Sequence, residues 1–433
     1  MKKIAKLSLV AAVAVAGLTT ANAQPLEEAI KNVDVSGSVV YRYNDYRNNS
    51  NAGGTNPTAT NENNYKVGLN LSSKVNDDVK FNSRFVVGQP SSNGGAAGAD
   101  GNSGFATLNS SDNGDQNVDV ALTNAYFGYT GLSNTTVNVG KQGLTTPWTV
   151  AVDTDGNEQT GTGILALSTV GPVTLAGAYF NQTTLDHSTD SSLNGTKLYG
   201  GTAATAVLNG AADIMTVGAI GTFAPVTVDA WYLDMQDTFD TYTLGAKVAT
   251  TANGIALGAD ARYVGLSFDK DVAQSLVNVI SSNGQVEEDN GVAKLVLTAD
   301  AGLIDGKLAY AKTNKSGGLT ALDNDASTTL LGWTLTSNGK ADADYWQAVL
   351  GFDILSNLNL SANYGNVQYI QSANSTTDVE EEEIYGQLLY KMSKNLNTYV
   401  RYGTYTKETT PAGGVTTKNN DDTRGRLQVE YTF

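Results

Sequence analysis

The 433-residue sequence has no cysteine, a single histidine and seven prolines, and only 16 % of its residues are charged. Without cysteine there is no disulfide framework and no thiolate metal site. With His187 as the one imidazole, Ser–His–Asp chemistry would have to pass through a residue lying in a long polar stretch, where a surface histidine is the plainer reading. No Gly-rich loop running into Lys-Ser or Lys-Thr is present, so a phosphate cradle of that type is excluded. Charged residues fall below the roughly 25 % usual for soluble proteins. After the first 18 residues there is no long apolar run, and mean hydropathy is −0.22, which excludes a bundle of membrane-spanning helices. A β-barrel is not excluded, because its lipid face uses alternate residues and averages out along the chain.

The N-terminus carries what the rest lacks. Lys2, Lys3 and Lys6 precede the apolar run Leu7 to Leu18, and Ala21-Asn22-Ala23 follows before Gln24. Basic start, short apolar run and small-residue site in that order are the parts of a secretory leader. The run is too short to span a bilayer as a helix, which takes about 20 residues. Residues 1–23 are therefore expected to be removed, leaving residues 24–433 as a single domain. Loss of three lysines takes the net charge from −16 to −19. So acidic a chain is a poor partner for nucleic acid, whose phosphates need a basic surface.

Period-2 alternation organises what remains. Tyr65, Val67, Leu69 and Leu71 alternate with Lys66, Gly68, Asn70 and Ser72. After the turn Asn76-Asp77-Asp78, Val79, Phe81, Phe85 and Val87 alternate with Lys80, Asn82 and Arg84. The pattern recurs through segments such as 34–46, 118–130, 255–268, 382–393, 396–405 and 423–433. It predicts about 18 strands of an all-β, antiparallel transmembrane barrel. Short turns, as at 170–172 and 251–254, alternate with mostly long polar loops, including 89–118, 184–213, 269–290 and 315–343. That asymmetry separates a periplasmic from an extracellular end. All seven prolines (Pro25, Pro57, Pro90, Pro147, Pro172, Pro225 and Pro411) avoid the predicted strands. A closed barrel requires this, since hydrocarbon offers no substitute partner for a missing ladder bond.

The stretch from Pro25 to Gly37 (PLEEAIKNVDVSG), followed by Tyr41-Arg42-Tyr43, resembles the mature start of the Campylobacter-type major outer membrane porins. The terminal Phe433 resembles the C-terminal aromatic signature of outer-membrane barrels. Val137 to Gln142 and Thr146-Pro147-Trp148 are similar to the junction between a strand and the constriction loop of general porins. The resemblance implies an 18-stranded barrel, a homotrimer embedded in outer-membrane lipid, passive diffusion of ions and small hydrophilic solutes, and a third extracellular loop folded inward. Strand numbering makes that loop 143–161.

Strand parity places Arg42, Lys66, Lys74, Lys80, Arg84, Arg401, Arg424 and Arg426 on one lumenal wall, with Arg42, Arg84, Arg401 and Arg426 near mid-height. Asp153, Asp155 and Glu158 of the third loop supply the opposite sign, with Trp148 at its base. Facing walls of opposite charge would orient dipolar solutes and set ion preference. The acidic net charge favours a modest cation preference, and the basic wall opposes it. Parity sends Lys141 toward lipid unless a bulge at Gly140 turns it inward. The run Glu380, Glu381, Glu382 and Glu383 is expected in a solvated loop. Its functional alternative is a divalent-cation site, calcium in particular; no other cofactor is expected. Three rival functions stand beside the diffusion channel. A substrate-specific channel, for oligosaccharides for example, would need lumenal aromatics, of which parity gives Tyr385, Tyr399 and Tyr405. A surface adhesin would use the long loops, and a hydrolase would depend on His187.

Overall fold

The computed structural model describes residues 33–49, 58–88, 104–109, 119–154, 156–187, 208, 210–272, 288–315, 317–371 and 375–433. The expected leader, Asp155, and Pro25, Pro57 and Pro90 lie outside them. Nineteen strands form one sheet: β1 (Val33–Asn48), β2 (Thr58–Lys74), β3 (Val79–Gly88), β4 (Ala106–Thr107), β5 (Asp119–Leu132) and β6 (Thr135–Gly143). There follow β7 (Thr160–Val170), β8 (Val173–Thr183), β9 (Ile214–Phe223), β10 (Val226–Met235), β11 (Phe239–Ala252), β12 (Ile255–Phe268) and β13 (Asp289–Asp300). The last six are β14 (Ile304–Thr313), β15 (Ala341–Leu355), β16 (Leu358–Ile370), β17 (Asp378–Ser393), β18 (Leu396–Thr410) and β19 (Thr417–Thr432).

Each strand pairs antiparallel with its neighbours, and β1 pairs with both β2 and β19, so the sheet closes on itself. The two-residue β4 only extends the edge of β2 beyond the end of β3, which leaves 18 strands in the closed wall, as the alternation predicts. The seam runs from Ser38 opposite Thr432 to Asn48 opposite Asp422. Phe433 completes it, its amide donating to Gly37 O at 3.1 Å and its carbonyl accepting from Gly37 N at 2.9 Å.

The period-2 pattern sorts the side chains. On β1, Val40, Arg42 and Asn44 turn inward and are buried, and Val39 and its odd-numbered neighbours face out. Outside, Leu350 is 63 % and Tyr402 66 % exposed, and Phe127, Leu244, Leu308 and Trp346 are exposed with them. Apolar area left in water costs roughly 25 cal/mol per Å²; in hydrocarbon that cost vanishes. Turns at the lower end are tight. Between β11 and β12 the two residues are Asn253 and Gly254, with φ of 52° and 80°, the left-handed pair that matches the twist of a two-residue hairpin. The described prolines, Pro147, Pro172, Pro225 and Pro411, sit outside every strand.

Two differences from the sequence reading matter. Several strands rise further than expected: β17 begins at Asp378 rather than 382, and β18 continues to Thr410 rather than 405. The lumen is also not lined by polar residues all round. Loop 3 (residues 144–159) and loop 7 (residues 314–340) fold into it. There Trp148, Leu319, Leu322 and Leu335 form one core with Phe180, Leu233, Phe239, Phe268, Val292 and Tyr345 from the inner faces of β8 to β15. One flank of the barrel is thus packed like a protein interior, while the inner faces of β1–β3 and β17–β19 carry most of the charged inward side chains.

Candidate functional site: the pore constriction

Loop 3 leaves β6 at Gly143 and is pinned at once by its own backbone. Leu144 N donates to Gln159 O at 2.9 Å, and Gln159 N to Val150 O at 3.0 Å. Trp148 is fully buried at the base, as its position in the sequence suggested. Its carbonyl accepts from Leu322 N of loop 7 at 2.9 Å. Gln159 Nε2 donates to Leu322 O at 2.9 Å, and Ser327 Oγ to Pro147 O at 3.0 Å. The two loops therefore form one unit.

The basic wall meets this unit by contact. Glu158, 1 % exposed, accepts Arg84 Nε at 2.8 Å and a terminal nitrogen at 2.5 Å, with Lys66 Nζ at 3.8 Å. Lys66 also donates to the carbonyls of Asp153 and Gly156. Lys66 and Arg84 thus meet Glu158 by direct contact, two cations sharing one buried anion beneath the loop. Two positively charged side chains on adjacent strands reach the inward loop, and charge-assisted hydrogen bonds, two of them from Arg84, close the contact against the cost of desolvation. Arg42 is lumenal as expected but buried, donating to Gln428 Oε1 at 2.8 Å and stacked 4.5 Å from the Phe105 ring. Lys74 and Lys80 lie directly opposite each other near the lower end, Lys74 paired to Asp77 at 2.7 Å.

Arg401, Arg424 and Arg426 remain half-buried along the passage. Arg401 and Arg426 are direct cross-strand partners. Arg426 donates to Asn44 Oδ1 at 2.9 Å and to the Tyr46 hydroxyl at 3.0 Å. Arg424 pairs with Asp422 at 2.6 Å, donates to Thr334 Oγ1 at 2.6 Å, and lies 4.3 Å from the Tyr405 ring. Pairing through Gly140 is unbroken, with Lys141 opposite Ala125 and Thr162, so no bulge turns Lys141 inward. Gly140 does carry a φ of 130°.

The four glutamates are not a solvated loop. They belong to β17, and alternation divides them. Glu380 and Glu382 face out, where they accept from Asn366 at 2.8 Å and the Tyr364 hydroxyl at 3.0 Å. Glu381 and Glu383 face in and are buried. Glu383 accepts the backbone amides of Trp333 and Thr334 at 2.9 and 2.8 Å, capping the tip of loop 7. Glu381 holds Lys340 at 2.9 Å and the hydroxyls of Tyr369 and Tyr405 at 2.5 and 3.1 Å. Burial pushes the Lys340 ammonium below its ordinary range, and Glu381 works against that. Side chains on opposite faces of one strand cannot converge on one cation, so the four do not form a single site together. A better-placed set is Asp153, Asp323 and Asp325, whose carboxylate oxygens lie within 4.8 Å of one another where the two loops meet. Oxygen donors at that spacing suit calcium.

Loop 7 was missed as part of the site. Its signal was present: Leu319, Leu322, Leu330, Leu331, Trp333 and Leu335 are too many large apolar residues for a segment kept in water. Gly332 shows how closely it docks, because a β-carbon there would collide with Glu383 Oε1. Gly332→Ala should displace the tip and weaken both amide bonds to Glu383. Faster proteolysis of loop 7 in the reconstituted protein, with the barrel still resistant, would register it.

An 18-stranded antiparallel barrel, apolar outside and narrowed by inward loops, is an outer-membrane porin of Gram-negative bacteria, a channel. Comparison with family models shows which kind: the chain belongs to the Campylobacter major outer membrane protein family, matched over residues 1–433. Among solved structures it is similar to Pseudomonas aeruginosa OccK2 (OpdF), with a TM-score of 0.66 and 15 % identity over 92 % of this chain and 98 % of that one. P. aeruginosa OpdQ gives a TM-score of 0.65 and 15 % identity, covering 94 % and 99 %. A BenF-like porin from Pseudomonas fluorescens Pf-5 gives 0.65 and 16 %, covering 92 % and 98 %. A search of curated proteins finds no match.

Proposed function

We propose that this porin is a general diffusion channel for ions and small hydrophilic solutes, a homotrimer with a modest preference for cations. One observation carries the reading. Folded loops pack against one flank of the barrel, and half-buried Arg401, Arg424 and Arg426 stand on the inner face of β18 and β19. Part of the wall's positive charge is offset within the protein, Arg84 and Lys66 by the one Glu158, Arg424 by Asp422, and Lys340 and Lys407 by the one Glu381. A strip so compensated passes solutes of either sign with little discrimination. The residual bias is set by the acidic net charge, which attracts cations.

The constriction is assigned to loop 3 on one side, held in place from within by the buried Asp153 and Glu158, and to Arg401, Arg424 and Arg426 on the wall. Arg42, Arg84 and Lys66 set its shape from beneath. An adhesive role for the long loops is compatible with an open channel, whereas hydrolysis would need a task for His187, at the foot of loop 4 in the short turn Leu185–His187. Purified protein in a planar bilayer under a salt gradient tests the reading. Persistent conductance in threefold steps, with a reversal potential of cation sign, is expected. A folded, inserted barrel that passes no current would refute a diffusion channel and favour the adhesive role.

A further inference from the structure

Like charges directly opposite in an antiparallel pair repel, and Arg401 faces Arg426 in just that relation. Lys66, Arg84 and Arg424 of the same wall each reach a carboxylate. Arg401 has none among the described residues: its hydrogen bond runs from Nε to Gln387 Oε1 at 2.5 Å. Arg401 is half-buried, and its two terminal nitrogens make no hydrogen bond among the described residues. Three rings surround the guanidinium, with centroids 4.6 Å away for Tyr399, 5.7 Å for Tyr385 and 5.9 Å for Trp333. Trp333 and Tyr385 meet edge to face at 5.2 Å. Trp333 arrives from loop 7, held in place by Glu383, and the two tyrosines come from adjacent strands. Three elements thus converge on one cation that lacks a counter-charge.

We propose that Arg401, Trp333, Tyr385 and Tyr399 form a subsite that transiently holds small aromatic carboxylates on their way through the channel. The inference deepens the diffusion-channel reading and rests on it. A guanidinium receives a carboxylate through two parallel hydrogen bonds, which a point-like ammonium cannot reproduce. Nε is committed to Gln387, so the carboxylate docks end-on to the terminal nitrogens and relieves the repulsion between Arg401 and Arg426. The rings then offer faces and edges to a planar apolar body attached to that carboxylate. An aliphatic acid gains the charge contact without the rings. A neutral aromatic gains the rings without the charge, and a cation meets two arginines.

The full-length protein is recorded in a planar bilayer in potassium chloride, with benzoate, acetate or benzyl alcohol added. Block is expressed against each variant's own open current. Benzoate should interrupt the current at concentrations where acetate and benzyl alcohol do not. Arg401→Gln should weaken benzoate block at least tenfold. Arg401→Lys, which keeps the charge and loses the fork, should fall between. Trp333→Leu should weaken benzoate several-fold and leave any effect of acetate as it was. Equal block by benzoate and acetate, or benzoate block unchanged by Arg401→Gln, would overturn the subsite. A wild-type channel that conducts salt yet ignores benzoate overturns the subsite alone, and a barrel that conducts nothing overturns the diffusion reading with it.

Discussion

A Glu158→Gln channel should conduct through a wider, unsteady opening, with its reversal potential moved toward anions. Glutamine keeps the shape of the side chain and removes its charge. Arg84 and Lys66, 5 % and 4 % exposed at their side chains, would then be buried without a counter-ion. Breaking a buried pair from one side costs about 3–5 kcal/mol, enough for the middle of loop 3, around the Asp153 and Gly156 carbonyls that Lys66 holds, to leave the wall and let water reach the two cations. The near end stays, because Trp148 and the bonds between loops 3 and 7 are untouched. The aperture therefore fluctuates instead of vanishing. Two cations gain exposure while one anion is lost, which fixes the sign of the selectivity change. Single-channel recordings under a salt gradient read amplitude, noise and sign together. A steady current of wild-type size would refute the pinning role of Glu158. Pairing the change with Arg84→Gln should restore part of the loss, since the two residues share one contact.

The second large effect is expected at Trp148. It is fully buried in the core shared by loops 3 and 7, and replacing such a residue by alanine costs about 3–5 kcal/mol. None of that falls on the barrel wall, whose ladder does not involve Trp148. Trp148→Ala should therefore leave the heat-modifiable gel mobility of the folded barrel unchanged, while loops 3 and 7 become protease-sensitive together. Cleavage confined to loop 3 would show that the loops are anchored separately. Trp148→Phe, which fills most of the space, should recover much of the protection.

The wall was readable from the sequence because a barrel strand has a period of two and nothing else to satisfy. Val40, Arg42 and Asn44 could be sorted from Tyr41 and Tyr43 by counting, and the same counting put Arg401 and Arg426 in the lumen. The same period of two divides the four glutamates, which the sequence suggests are a solvated loop. It was the starting point of β17 that went astray, since a charged run resembles loop until one finds that its inward members cap another segment. Loop 7 was hidden for a different reason. Whether an apolar residue in a connection turns inward depends on what the lumen offers it, and that is set by distant strands. A hint lay in Leu233, Met235, Val264, Leu266 and Phe268, inward positions that are apolar where a water-filled pore would call for polar ones. Contact between Glu158 and Arg84 lay beyond reach altogether, because parity gives a side chain's direction and not its distance from what it faces.

The joining of loops 3 and 7 into one close-packed body bears on how this pore fluctuates over time. Packed cores switch between discrete arrangements and deform little in between. The aperture is bounded on one side by such a body and on the other by a hydrogen-bonded wall, so neither boundary can drift by small degrees. Intrinsic closures should accordingly be rare, abrupt and uniform in depth, each one a displacement of the whole body, with the current between them flat.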